Sequence, residues 1–189
     1  KRLPKAPTKE DQMHNVPALI LRLALGLLMA GHGSQKAFGW FDGPGREGTA
    51  GFMEMLGLKP GRPWATMAMA SEFGGGVLTA LSLLNPLGPL GIIAAMSMAT
   101  TKGHWGKPIW VTSGGAELPV TNIVAALALM LNGPDKYSLD RMLGIKLPGW
   151  LAPVGLVAVL ITVLYAGVGT PPTSDDEEPR EELAGAPEA

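Results

Sequence analysis

The sequence has no cysteine among its 189 residues. Disulfides, thiolate nucleophiles, iron–sulfur clusters and Cys-ligated zinc are therefore excluded for this chain. Charged residues are also scarce, at 16%, against about a quarter in a typical soluble domain. His32 and His104 lie on separate predicted helices, which is a weak signal for haem, so we predict no metal site. An ordinary soluble enzyme is disfavoured.

The few charges are unevenly distributed. The net charge is −1, but residues 170–189 alone hold seven acids and one base, so the preceding part of the chain is basic. Because those bases are scattered, nucleic-acid binding is improbable. A basic, apolar body with an acidic tail is typical of a membrane protein. We predict a basic N-terminal segment over 1–15 and a disordered acidic tail over 170–189.

Long apolar runs dominate the rest of the chain. A membrane-spanning helix needs about 20 mostly apolar residues. Two of the runs are apolar all round their inner parts, whereas a buried helix of a soluble bundle keeps a polar face. The sequence therefore predicts an all-α, polytopic membrane helical bundle. The predicted spans are 16–37, 64–84, 87–101, 117–132 and 150–168.

Short signals in the connections constrain this bundle. The link around Asn85 and Pro86 is so short that the second and third spans should form an antiparallel hairpin. Asn85 is expected to cap the third span, with Pro86 in its first turn. In the long loop before the second span, 49–58 is expected to form a short interfacial helix.

The bases near the ends of the predicted spans decide the orientation only weakly. With the N-terminus inside, seven bases lie inside and six outside. The four bases that precede the first span favour a cytoplasmic N-terminus. In that orientation the outer half of the bundle collects most of the intramembrane polar groups and predicts a polar pocket open to the outer face. These groups are His32, Gln35, Lys36, Glu72, His104, Glu117 and Asn122.

Glu72 is the polar residue hardest to explain by packing alone. It falls near the middle of a span, and exposure to lipid would be costly, so it should face the bundle, protonated or paired. By depth His32 is its nearest predicted partner and Lys36 the second choice. We predict Glu72 and His32 as catalytic residues. The predicted ligand-binding residues are Arg22, Gln35, Lys36, His104 and Glu117.

Arg22 and the small residues have simpler interpretations. Arg22 is expected to extend to the inner surface or to bind lipid phosphate, which is the main alternative to ligand binding. Gly26, Ala30 and Gly33 line one side of the first span, and 74–76 is a run of three glycines. Tight helix packing is a better interpretation of both than a ligand slot.

Several short motifs occur in order along the chain. The first span runs from Arg22-Leu-Ala-Leu-Gly to His32-Gly-Ser-Gln-Lys-Ala-Phe, and the second contains Glu72-Phe-Gly-Gly-Gly. Gly115-Ala-Glu opens the fourth, and Gly133-Pro-Asp-Lys-Tyr-Ser-Leu-Asp follows it. Together they resemble the DoxX family of small bacterial and archaeal membrane proteins.

The resemblance implies a four-helix core, which we place at 16–148, with an additional C-terminal transmembrane helix at 149–169. The sequence departs from the family pattern at Asp135, where glycine is expected. It also lacks the basic residue expected after the second span.

The resemblance also implies a function. Relatives are associated with quinol oxidase and thiosulfate:quinone oxidoreductase complexes in the bacterial plasma membrane. We therefore expect a multi-pass membrane subunit of a quinone-linked oxidoreductase complex, with quinone as the candidate cofactor and none bound covalently. An oxidoreductase partner would supply the redox chemistry. The sequence leaves open whether the chain is itself an enzyme and whether it forms a homo-oligomer. The alternatives are a non-enzymatic membrane anchor or assembly factor, and a small-solute transporter.

Overall fold

The computed structural model describes the backbone of residues 9–168 and the side chains of 15–167. The described residues form helices and connecting turns without a strand, which confirms the all-α prediction. The basic N-terminal segment falls only partly within this range, and the acidic tail lies outside it. The helices are α1 (Lys9–Phe38), α2 (Gly45–Met55), α3 (Gly61–Met69), α4 (Gly75–Leu81), α5 (Leu87–Met98), α6 (Glu117–Asn132), α7 (Leu139–Leu143) and α8 (Leu151–Val168).

The second predicted span is one continuous helical segment, Gly61–Leu81, interrupted by a π-helical turn; we call this segment the rod. Helix α3 passes through a π-helical turn, Ala70–Gly74, directly into α4. Helix α5 likewise ends in a π-helical turn, Ala99–Gly103. Helix α6 occupies the predicted 117–132 and stops at Gly133, whose positive φ of 71° suits glycine.

Helices α1 and α4 pack backbone against backbone. A Cβ added at Gly26 would lie 2.5 Å from the Ala80 nitrogen, and one added at Gly33 would lie 2.2 Å from the Phe73 nitrogen. Later residues of α1 thus meet earlier residues of the rod, so the two helices are antiparallel. This supports the packing interpretation of the glycines.

Two glycines of the run at 74–76 contact different helices. Gly76 faces α1 at Ala30, whereas Gly75 faces α5, where its Cβ would lie 3.0 Å from the Gly88 oxygen. Helix α5 then packs on α6. The shared core contains Leu25 and Met29 of α1 with residues of α5 and α6, namely Leu90, Ile92, Ile93, Met96, Ala126, Leu129 and Met130.

Helix α8 lies across the outside of α5. A Cβ at Gly155 would meet the Leu90 side chain at 2.4 Å, so glycine permits the close approach. Near its other end, Ala166 is buried in a second apolar cluster supplied by α2, α3 and the turn between them. The other buried members of this cluster, which we call the α2–α3 cluster, are Ala50, Met53, Leu58 and Ala65.

The link between α4 and α5 is held differently from the prediction. Pro86 takes the N-cap position and no side chain caps α5, so the predicted cap at Asn85 is wrong. The amides of Leu84 and Asn85 instead donate to the two carboxylate oxygens of Asp140, at 2.7 and 2.8 Å. Asp140 is 2% exposed and lies on α7, a helix that the sequence did not predict. Asn85 lies one residue before the N-cap position of α5, and the proline at that position has no side-chain acceptor.

One helix among the described residues is long and apolar enough to cross a membrane by itself. It is Asn15–Phe38, with 24 residues and a mean hydropathy of 1.6. Two further apolar helices, Glu117–Asn132 and Leu151–Gly167, are shorter. The rod formed by α3 and α4, and α5 with its π-helical turn, do not meet the same test. The number of spans therefore remains a prediction.

Candidate functional site

The π-helical turn places a carboxylate inside the bundle. Glu72 lies within Ala70–Gly74 and is 3% exposed. A π-helical turn inserts one residue into an α-helix and commonly marks a functional position. Here it separates α3, which packs on α2, from α4, which packs on α1 and α5. Glu72 therefore lies at a junction of helices and faces the bundle interior, the second of which its sequence position predicted.

The Glu72 carboxylate is paired on one side only. The Lys36 ammonium donates to Oε1, forming an ion pair in which the lysine side chain is 26% exposed and the glutamate side chain 5%. The second oxygen, Oε2, is buried and has no hydrogen-bond partner among the described residues. A buried polar atom without a partner is unfavourable, so Oε2 is an acceptor available to a ligand.

A cavity of about 100 Å³ adjoins this ion pair. Its polar lining comes from Lys36, Ser71, Glu72 and Thr162, and the remainder is apolar. Helices α2, α3 and α5, the turn after α2 and the π-helical turn after α5 contribute the apolar lining. These residues are Met53, Leu56, Leu58, Trp64, Met67, Ala68, Ala94, Ala95, Met98 and Ala99.

His32 is not the partner of Glu72, which corrects the predicted order. It is exposed and makes no polar contact within the described part of the chain. The adjacent Gly33 faces the rod, and one residue along a helix turns the side chain by about 100°. A short imidazole there points away, whereas the long stem of Lys36 extends around the helix to the carboxylate.

Gln35 lies outside the cavity wall. Its backbone packs against Gly43, where an added Cβ would lie 2.5 Å from the Gln35 Cα atom. The side chain is half-buried and is not among the residues lining the cavity. The structure therefore assigns Gln35 a packing contact at the end of α1.

His104 and Glu117 brace a loop instead of joining Glu72. The Nδ1 atom of His104 lies 2.6 Å from the Gly114 oxygen, and Oε2 of Glu117 accepts a hydrogen bond from the Val111 amide at 2.9 Å. Neither residue lines the cavity. Both side chains hold the connection between α5 and α6 in a closed shape.

Arg22 is buried near the middle of α1, which makes the prediction of a side chain extending to the surface wrong. It is 4% exposed, its Nε lies 3.5 Å from Oδ2 of Asp135, and Nη2 donates to the Tyr137 carbonyl at 2.8 Å. The 14 residue steps between Arg22 and Lys36 separate them by roughly 21 Å along the helix axis. Arg22 therefore belongs to a separate polar cluster.

Two polar residues of the cavity escaped the sequence interpretation. Ser71 directly precedes Glu72 on the same π-helical turn, so its proximity was a usable signal. Thr162 is one of only two residues in α8 with a polar side-chain atom, the other being Tyr165. A hydroxyl in so apolar a helix was also a signal, but only the fold shows which cavity it lines.

One comparison with known proteins agrees with the motifs of the first two predicted spans. Residues 18–105 match the family model DoxX. This region contains Lys36, Ser71 and Glu72 but not Thr162. No match was found among curated proteins or among solved structures. The predicted resemblance to the DoxX family is therefore confirmed over residues 18–105.

Proposed function

We propose that this protein is the membrane subunit of a quinone-linked oxidoreductase complex and that the Glu72 cavity holds the ring of a quinol. The observation that carries the proposal is the unpartnered Oε2 atom of Glu72, a residue that lines a largely apolar cavity. A ligand that fits must bring an apolar body and a hydrogen-bond donor. A quinol ring has both.

The ion pair suits the proton chemistry of such a ligand. A quinol that becomes a quinone loses two electrons and two protons. Glu72 accepts a hydrogen bond from one hydroxyl and then takes its proton, while the second proton leaves to solvent. Lys36 balances the carboxylate charge before the transfer. The two electrons pass to a redox centre of the partner oxidoreductase.

The volume of the cavity agrees with a single ring. An engineered apolar cavity of about 150 Å³ in another protein takes up benzene. The cavity beside Glu72, at about 100 Å³, accommodates a ring after a small adjustment of the flexible methionines around it. The isoprenoid chain of a membrane quinol would then lie outside the cavity, among the lipid chains.

The outer surface supports a multi-pass arrangement, and the four bases before the first span favour an N-terminus in the cytoplasm. Helices α1, α6 and α8 each turn large apolar side chains outward, which is unfavourable in water and favourable in lipid. Five membrane-crossing segments then follow, with the rod of α3 and α4 as one of them. The most exposed of these apolar side chains include Ile20, Leu27, Val124, Leu131, Val157, Ile161 and Leu164.

A substitution at Glu72 tests this function. The tagged protein is purified from native membranes in a mild detergent, and bound proteins and quinones are identified by mass spectrometry. We expect a stoichiometric oxidoreductase partner and retained quinone, with the quinone lost in Glu72→Gln. Glu47→Gln is the matched control, since Glu47 is exposed and, among the described residues, pairs only with Arg62. Equal quinone retention and turnover in Glu72→Gln would refute the assignment.

The alternative is a non-enzymatic anchor or assembly factor. The Lys36–Glu72 pair joins α1 to the rod, and that contact alone would stabilise the packing of the helices. In that case the partner protein co-purifies without quinone, and Glu72→Gln weakens folding without affecting a bound ligand. Uptake into proteoliposomes tests the transporter alternative.

A further inference from the structure

We infer that α8 completes the Glu72 cavity and that Thr162 is a second hydrogen-bonding group for the ligand, so that the site selects a ring with two hydroxyls. This inference rests on the proposed function and specifies its ligand. It concerns a helix outside the family match at 18–105.

The path of α8 makes it a wall of the cavity. Its first half lies on α5 through the close contact between Gly155 and Leu90, and Ala166 is buried in the α2–α3 cluster. Helix α8 therefore bridges the two groups of helices whose side chains line the cavity. Thr162 lies between these two anchor points and itself lines the cavity.

The hydroxyl of Thr162 can accept a hydrogen bond from a ligand but cannot donate one. Its proton is directed at the Ala158 carbonyl, to which Oγ1 donates at 2.9 Å. The lone pairs of Oγ1 remain free, so toward a ligand this hydroxyl is an acceptor. Thr162 is half-buried, which keeps the oxygen partly shielded from bulk solvent.

Two acceptors on different walls define the ligand. Oε2 of Glu72 lies on the π-helical turn, and Oγ1 of Thr162 lies on α8. A 1,4-hydroquinone donates from both of its hydroxyls, whereas its mono-O-methyl ether donates from one. The stronger, charged acceptor takes the single hydroxyl of the ether, which leaves an ether oxygen against Thr162. The site thus favours the reduced, doubly protonated ring.

Binding of these two compounds to the full chain tests the inference. The probes are a short-chain trimethyl-1,4-hydroquinone, kept reduced under anaerobic conditions, and its mono-O-methyl ether, titrated calorimetrically into detergent-purified protein. A neutral hydrogen bond corresponds to a preference of roughly 2- to 12-fold for the hydroquinone. Thr162→Val should remove this preference and leave binding of the ether unchanged.

Two further variants keep the outcome interpretable. Thr121→Val is the matched control, because Thr121 makes the same bond to the carbonyl four residues earlier, at 2.8 Å, but lies on α6 away from the cavity. Thr162→Ser retains the hydroxyl and should retain the preference. If Thr162→Val discriminates as well as wild type, or if Thr162→Ser also fails to discriminate, the role of Thr162 is refuted.

The failure of the proposed function has a different signature. If wild-type protein binds neither compound, then the quinol site is absent and this inference falls with it. If wild type binds both compounds, Glu72→Gln binds neither, and Thr162→Val behaves as wild type, then the quinol site stands and only the second hydrogen bond is refuted.

Discussion

Lys36 and Glu72 form an ion pair in which the lysine remains partly exposed while the carboxylate is enclosed. The two residues belong to α1 and to the π-helical turn of the rod, so their contact fixes one helix against the other at the cavity wall. Glu72 depends on Lys36 more than Lys36 depends on Glu72, because only the carboxylate has lost its access to water.

This asymmetry predicts that Lys36→Met destabilises the fold. An unpaired charge is left buried at Glu72, and breaking a buried pair costs about 3–5 kcal/mol. The double variant Lys36→Met, Glu72→Gln should recover most of the loss. Thermal unfolding in detergent measures both effects. The control Glu47→Gln breaks an exposed pair and should change stability by less than about 1 kcal/mol. A Lys36→Met variant as stable as wild type would contradict the buried-pair account.

Packing of α1 on the rod predicts opposite results for two neighbouring glycines. Gly33→Ala places a Cβ 2.2 Å from the Phe73 backbone, so the helices must separate, at a cost of about 1–3 kcal/mol or more. Gly31→Ala meets no atom within 4 Å and should be neutral or slightly stabilising, since alanine favours helix. Chemical or thermal unfolding of the pair distinguishes them. Equal effects would mean that α1 does not pack through Gly33.

Asp140 holds the α4–α5 link, so Asp140→Asn should loosen it. One amide of the link keeps an oxygen acceptor, but the other meets an NH₂ group and loses its bond, a cost of about 1–3 kcal/mol. Hydrogen exchange at the amides of Leu84 and Asn85 reports this directly and should accelerate. Asp42→Asn, at an exposed turn, is the control and should leave those amides unchanged.

The buried Arg22 predicts a cost for removing its partner. Asp135→Asn keeps an oxygen for the Tyr137 amide but removes the charge that faces Arg22, so stability should fall by about 3 kcal/mol. Thermal unfolding measures the fall, and adding Arg22→Met should restore part of it. Unchanged stability in Asp135→Asn would show that Arg22 is balanced by another group.

The sequence predicted the helices well because their signals are local. The span at 117–132 coincided with α6, since an apolar run and the Gly133 stop lie next to each other in the chain. Burial of Glu72 was also predictable, because a carboxylate exposed to lipid is costly at every lipid-facing position of a helix. Such predictions need only composition and spacing.

The polar contacts between side chains were less predictable, because they depend on the direction in which each side chain points and on segments far away in the sequence. Depth along the helix ranked His32 above Lys36, but the angle around the helix and the length of the side chain decided the contact. Arg22 was expected at the surface because its carbonyl partner, Tyr137, lies 115 positions away. Asp135, the departure from the family pattern, proved to be the carboxylate that Arg22 faces.

The π-helical turn at Ala70–Gly74 has a consequence for the whole rod. One additional residue rotates everything after it by about 100°, so the faces of α3 and α4 are out of phase although they share one axis. This offset lets α3 pack mainly on α2 while α4 packs on α1 and α5. The number of residues in the turn therefore decides which helices each half of the rod contacts. Inserting or deleting one residue there would rotate α4 away from α1 and α5, whereas most substitutions would leave these contacts in place.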